Sequence, residues 1–211
     1  YKRQDLLRLT RRLKQQKLLT GIPIFLINHI EWREHLINDA EALNEIQALH
    51  PELDVFIALE DPMSWLLLAY IKEELADYYD IQLKVYPLSY RGRDWFDWSL
   101  ATRVSKRTEV AFTPFCRPTE ESTLEMAKLF YSVPENQQLD TIFTILQAVW
   151  TKGKDPSFQK HFQQLQQQLG IEHLTEQDVP SVLEQNDALC KNKHQPDLPV
   201  LELRIDGQSY V

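Results

Sequence analysis

The feature that most constrains this chain is the run Leu53 to Leu59 (LDVFIAL), which ends on Asp61-Pro62. A short, nearly continuous apolar run bounded by a turn signal reads as a strand buried on both faces. Aspartate is a favoured helix N-cap, and proline is favoured at the first helical position. A helix is therefore expected from Pro62, carrying Met63, Trp65, Leu66, Leu67, Ala69, Tyr70 and Leu75. After Tyr79-Asp80, residues Ile81 to Tyr86 alternate apolar with polar, the pattern of a half-buried strand. Strand, helix and strand in this order imply a parallel pair joined by a crossover.

The rest of the chain attaches to that unit. Residues 89–113 read as loop, with Arg91-Gly92-Arg93 and an aromatic cluster at Trp95, Phe96 and Trp98. The cluster is either packing between elements or a substrate wall with arginines for a carboxylate. Helices are expected over 119–132, 138–150, 156–169 and 176–189. The third starts at Asp155-Pro156 and the fourth is capped by Thr175 or Asp178. A strand follows from Leu198-Pro199, and Asp206-Gly207 is a hairpin signal leading into residues 208–211. So short a final strand leads us to expect that the natural chain continues. Before Leu53 lie an amphipathic helix (5–19), a strand opening at Pro23 (22–27) and a helix (33–48).

The length of 211 residues corresponds to one or one and a half domains. The expected division is an N-terminal extension over 1–50, an α/β core from 51–90 and 190–211, and a helical insertion over 91–189. The apolar fraction of 43% and charged fraction of 26% are those of a globular chain, which argues against disorder. The longest apolar run, Trp65 to Ile71, is far too short for a membrane span. The opening segment, Tyr1 to Lys17, is too charged for a signal-peptide core.

A net charge of -8 speaks against nucleic acid as partner. The charge is uneven. Residues 1–17 carry +6 and the rest of the chain carries -14. The basic segment reads as a solvated helix face, an intramolecular docking element or a partner surface. Cys116 and Cys190 are far apart in the sequence, which makes neither a disulfide framework nor a metal spacing. Two reduced, buried thiols fit a cytoplasmic protein. The six histidines form no i,i+4 pair, so no metal site is expected.

This order of elements resembles the DsbA-like thioredoxin-fold family. Within it, the resemblance is to the branch of 2-hydroxychromene-2-carboxylate isomerases and kappa-class glutathione transferases. Three features over residues 53–211 carry it: strand 53–59 entering Asp61-Pro62-Met63-Ser64-Trp65, Trp150 followed by Thr151-Lys152-Gly153-Lys154-Asp155, and Leu198-Pro199-Val200 ahead of a Gly-bearing hairpin. The implied fold is α/β, thioredoxin-like with an inserted all-helical subdomain. The resemblance also implies a cis peptide before Pro199. Sliding the sequence along itself superposes Ile22-Pro23 on Leu198-Pro199 and, in the same register, Leu13 on Leu189. Residues 1–50 are accordingly either a family-specific extension or the tail of a preceding thioredoxin-like unit.

The resemblance places the site at the start of the first core helix, facing the proline loop. Unpaired N–H groups and the helix dipole favour an anion there, commonly a thiolate. Positions 61 and 64 hold Asp and Ser, so a dithiol pair is excluded at this place. In the isomerase and transferase branch the thiolate belongs to glutathione. Asp61 and Ser64 then take the catalytic positions, with Pro62, Leu198 and Pro199 binding glutathione. An ionised carboxylate cannot donate a hydrogen bond. At about 4 Å and an effective dielectric near 20 it would repel a thiolate by about 4 kcal/mol. Glutathione activation therefore calls for a protonated Asp61 or a role taken by Ser64. More simply, Asp61 is an N-cap worth about 1 kcal/mol and Ser64 a first-turn hydroxyl.

Two functions follow. The first is a glutathione-dependent isomerase or transferase acting on an aromatic or hydrophobic acid. The alternative is a catalytically silent thioredoxin-fold module that binds a partner. A homodimer is left open in either case.

Overall fold

A computed structural model describes residues 52–72, 82–92, 98–114, 117–193, 199–205 and 208–210. Several expectations lie outside these residues: the basic helix 5–19, strand 22–27, helix 33–48, Leu75, Ile81, Arg93, Trp95, Phe96, Cys116, Leu198 and the Asp206-Gly207 turn. The internal repeat, which depends on the segment 1–50, lies outside them too.

The chain begins its described part with β1 (Glu52–Ile57), α1 (Pro62–Ile71) and β2 (Gln82–Pro87). The helices α2 (Trp98–Thr108), α3 (Glu120–Tyr131), α4 (Glu135–Lys152), α5 (Gln159–Gln168) and α6 (Val179–Lys193) follow, and then β3 (Val200–Ile205) and β4 (Gln208–Tyr210). The sheet order is β2-β1-β3-β4. β1 pairs in parallel with β2 and antiparallel with β3, and β3 pairs antiparallel with β4. This is the thioredoxin-like arrangement, with the helical block inserted between β2 and β3.

The near-continuous apolar character of β1 follows from its central place. Leu53, Val55, Ile57 and Leu59 enter the main core with Trp65, Leu68, Ile145 and Trp150. Phe56 projects to the other face and packs with Leu88, Val200, Cys190 and Tyr86. A strand with helices on both faces has no side left for polar alternation. α1 packs on α2 and α4, and α6 packs on α3 and β2.

The insertion helices stop and start for local reasons. α4 ends on Gly153, whose φ of 63° is the left-handed cap that closes the last turn. The expected helix start at Asp155-Pro156 is corrected: α5 begins at Gln159. Asp155 instead gathers the Ser157 amide (2.9 Å), the Ser157 hydroxyl (2.8 Å) and the Ser122 hydroxyl (2.7 Å). It thereby ties the turn after α4 to the start of α3. Asp178 immediately precedes α6, and its carbonyl accepts the Val182 amide at 3.1 Å.

The 89–113 stretch is not all loop. Residues 98–108 form α2, with Ala101 and Val104 buried. Its buried face is narrow, and most of its residues are polar or charged, so little apolar sequence marks it as an element. Tertiary packing supplies the stability: Trp98 lies 5.6 Å from Trp150 and 6.3 Å from Phe112, ring centre to ring centre. Among the described residues no helix is long and apolar enough to cross a membrane.

Candidate functional site

The site is built where β1 ends and α1 begins. The β1–β3 register pairs Phe56 with Val200, so Pro199 enters the sheet at the same end at which β1 leaves it. β2 finishes at that end as well, because the Leu88 amide donates to the Ile57 carbonyl at 2.9 Å. The 58–64 turn, the segment after β2 and the entry to β3 thus share one edge of the sheet. Pro199 is half-buried there.

Asp61 is the N-cap of α1 and Pro62 its first residue. The cap residue is extended, with φ -94° and ψ 118°. Its Oδ1 accepts the Met63 amide at 2.9 Å and its Oδ2 accepts the Ser64 hydroxyl at 3.3 Å. Asp61 is 1% exposed and Ser64 has no exposed surface. Burial raises the Asp61 carboxyl to about 7, against the opposing pull of the Met63 and Ser64 donors. The helix therefore starts where the Asp-Pro signal puts it. Asp61, Pro62 and Ser64 stand together, and the Ser64 hydroxyl is turned to Asp61.

Glu60 escaped the sequence reading. It is fully buried, and burial raises its carboxyl to about 7. The Arg91 amide, Glu60's own backbone and the Arg91 charge pull the other way, and the charge of Asp61 adds to the rise. Its Oε1 accepts the Arg91 amide at 2.5 Å. The Arg91 guanidinium in turn reaches Asp187 on α6 at 3.1 Å, and the Ser89 amide donates to the same carboxylate at 3.4 Å. Beside them, Asn186 donates to the Pro87 carbonyl (2.8 Å) and to the Tyr131 hydroxyl (2.9 Å). The segment after β2 is thus strapped on one side to the start of α1 and on the other to α6. One signal for Glu60 was present in the sequence, since an acid directly follows a strand buried on both faces. Nothing local points to Asp187, which lies far along the chain.

Chemically, the edge holds two adjacent buried carboxyls that exchange protons near neutral pH. The helix N-terminus beside them favours negative charge. Groups poised near 7 suit proton transfer at physiological pH. Among the described residues, no group of three or more His, Cys, Asp or Glu is arranged to hold a metal ion. Cys190 is a free, buried thiol whose pKa burial raises, the opposite of an activated nucleophile.

No protein-family model matches the chain, and no curated protein matches it by sequence. Solved structures do match. A candidate protein disulfide isomerase from Nitrosomonas europaea is 14% identical, with 76% of this chain and 87% of that one covered and a TM-score of 0.58. The cytosolic disulfide reductase DsbM from Pseudomonas aeruginosa is 12% identical over 75% of this chain and 87% of its own, with a TM-score of 0.56. The same reductase with GSH matches at 11% identity over 73% and 88%, with a TM-score of 0.54. A 2-hydroxychromene-2-carboxylate isomerase matches at 15% identity over 75% and 87%, with a TM-score of 0.51. At these identities the likeness is one of fold. It agrees with the strand order, the crossover and the insertion described above: the chain has a thioredoxin-like fold with a helical insertion.

Proposed function

We propose that the protein is a glutathione-dependent enzyme of the isomerase or transferase type, acting on an aromatic or hydrophobic acid. Its site is the start of α1, between the 61–64 turn and the Pro199 loop. One observation carries the reading: the residue capping α1 is a buried carboxyl whose affinity for its proton is raised to about 7. In its neutral form Asp61 is an O–H donor at the helix N-terminus, and the repulsion of about 4 kcal/mol against a thiolate disappears. The shared fold with a reductase solved with GSH, and with an isomerase, supports the reading.

Bound at this place, glutathione would supply a nucleophilic thiolate able to add reversibly to a conjugated acid. Neutral Asp61 would donate a hydrogen bond to that thiolate. Ser64, buried against Asp61, holds the carboxyl in place. The main chain at Leu198-Pro199 pairs with the cysteinyl part of glutathione, and Pro62 starts the helix that presents its N–H groups. A cytoplasmic location belongs to the same reading, because the cytosol maintains reduced glutathione.

A specific observation favours a second reading. Asp61 Oδ1 already takes the Met63 N–H, so the chain's own carboxyl fills the anion position of α1. A catalytically silent partner-binding module would look the same. Calorimetric titration with reduced glutathione at pH 6 and pH 8 separates the two. The enzyme reading expects binding at pH 6 and up to about tenfold weaker binding at pH 8, as Asp61 ionises. No heat at millimolar glutathione at either pH, with folding verified by circular dichroism, overturns it in favour of the silent module.

A further inference from the structure

The Glu60–Asp61 pair has four carboxyl oxygens, and the hydrogen bonds account for three of them. Asp61 Oδ1 and Oδ2 accept from Met63 and Ser64, and Glu60 Oε1 accepts from Arg91. Glu60 Oε2 is buried with no hydrogen-bond partner. A buried anionic oxygen with no donor is strongly disfavoured, and a carboxyl with one filled acceptor oxygen accommodates a proton on the other. The charged groups around Glu60 are Asp61 on its own turn, Arg91 on the segment after β2 and, behind Arg91, Asp187 on α6; the Cys190 thiol beyond Arg91 is kept neutral by burial. The Arg91 guanidinium is turned to Asp187, so Arg91 hydrogen-bonds Glu60 through its amide, while its charge acts on Glu60 in the lowering direction, against burial.

We infer that Glu60 is the neutral acid of this site and a positioning residue for it: it carries a proton on Oε2 while Oε1 holds the Arg91 segment against the start of α1. Asp61, with donors on both oxygens, is the first of the pair to ionise, and Glu60 keeps its proton next to that charge. The direction of the Glu60 shift, with Asp61 among its causes, agrees with this order. The consequence for the site is electrostatic. As pH rises past the first step, a ligand at the α1 N-terminus meets one carboxylate and one neutral acid rather than two carboxylates. The use of this pair with a thiolate rests on the glutathione reading, but the protonation itself does not.

The experiment is a titration of side-chain carboxyl carbons by NMR in the full chain without any ligand, comparing wild type with Glu60→Gln, Glu60→Ala and Asp61→Asn. In wild type, Glu60 is expected to titrate well above the ordinary glutamate range and after Asp61. Asp61→Asn, which removes the neighbouring charge and keeps a capping side chain, should lower the Glu60 midpoint. Glu60→Gln mimics the protonated acid. It should leave the Asp61 curve nearly unmoved and retain the downfield Arg91 amide resonance, whereas Glu60→Ala should lose that resonance. A Glu60 midpoint in the ordinary range, or an Arg91 amide unaffected by Glu60→Ala, overturns the inference whatever glutathione does. A silent glutathione titration together with a retained Glu60 proton would instead reject the enzyme reading alone.

Discussion

The starts of α1 and α3 meet the same local problem, unpaired N–H groups at a helix N-terminus, and meet it differently. At α3, Thr119 and Ser122 form a reciprocal capping box: the Ser122 amide donates to the Thr119 hydroxyl at 3.2 Å and the Thr119 amide to the Ser122 hydroxyl at 2.9 Å. Asp155 then receives the Ser122 hydroxyl, and two donors from Ser157. The cap is made of neutral hydroxyls, and the nearby acid has three donors. At α1 the cap itself is an acid, it is 1% exposed, and a second buried acid precedes it. The first arrangement consumes its polar groups in structure. The second keeps groups whose protonation changes near neutral pH, which is what proton chemistry needs and stability does not.

This contrast predicts different responses to pH. Asp61 and Glu60 both hold protons more tightly folded than unfolded. Between about pH 4 and 7 the native state therefore binds more protons, and stability falls as pH rises through that window. Asp61→Asn removes the Asp61 share of the loss while keeping a good cap. It should be close to wild type at pH 4 and more stable by on the order of 2–4 kcal/mol at pH 8, with the residual slope belonging to Glu60. Urea unfolding at the two pH values reads this directly, and parallel pH curves for the two proteins would remove the distinction between the two helix starts.

The corresponding change at α3 should be smaller and flat with pH. Thr119→Ala loses one side of the capping box and is expected to cost about 1 kcal/mol at every pH from 5 to 8. A cost that grew or shrank with pH in chemical denaturation would mean that this start, too, carries a hidden titration. The smallest effect belongs to the half-buried flank of α3, where Glu125 and Lys128 form an i,i+3 ion pair at 3.8 Å. Glu125→Gln should shift stability by about 0.3 kcal/mol, and by less in high salt. A loss several times larger would show that surface charge matters to this helix more than its cap does.

Much of the fold was legible because the signals were local and mutually consistent. LDVFIAL followed by Asp-Pro marked a buried strand and a capped helix, and the alternation over Ile81–Tyr86 marked its parallel neighbour. α2 was missed because Ala101 and Val104 are its only buried residues and the rest is mostly polar; packing of Trp98 on Trp150 anchors it. Asp155-Pro156 misled because Asp155 caps only a single turn, accepting the Ser157 amide as a helix cap would while also holding Ser122, and the regular helix starts at Gln159. The site was half legible. Asp61, Pro62 and Ser64 are close in sequence and carry a cap signal. The straps from Glu60 to Arg91 and from Arg91 to Asp187 join β1, the segment after β2 and α6, and no sequence spacing encodes them.

What the sequence determined by itself is the identity of the groups at the helix start: an acid and a hydroxyl in place of two thiols, which excludes dithiol exchange there. It also determined the crossover, since a parallel pair requires one. The tertiary structure decided the state of those groups. An aspartate at a helix N-cap in water is an ordinary anion, and only burial beneath the rest of the chain disfavours its charge enough to bring its proton exchange to neutral pH.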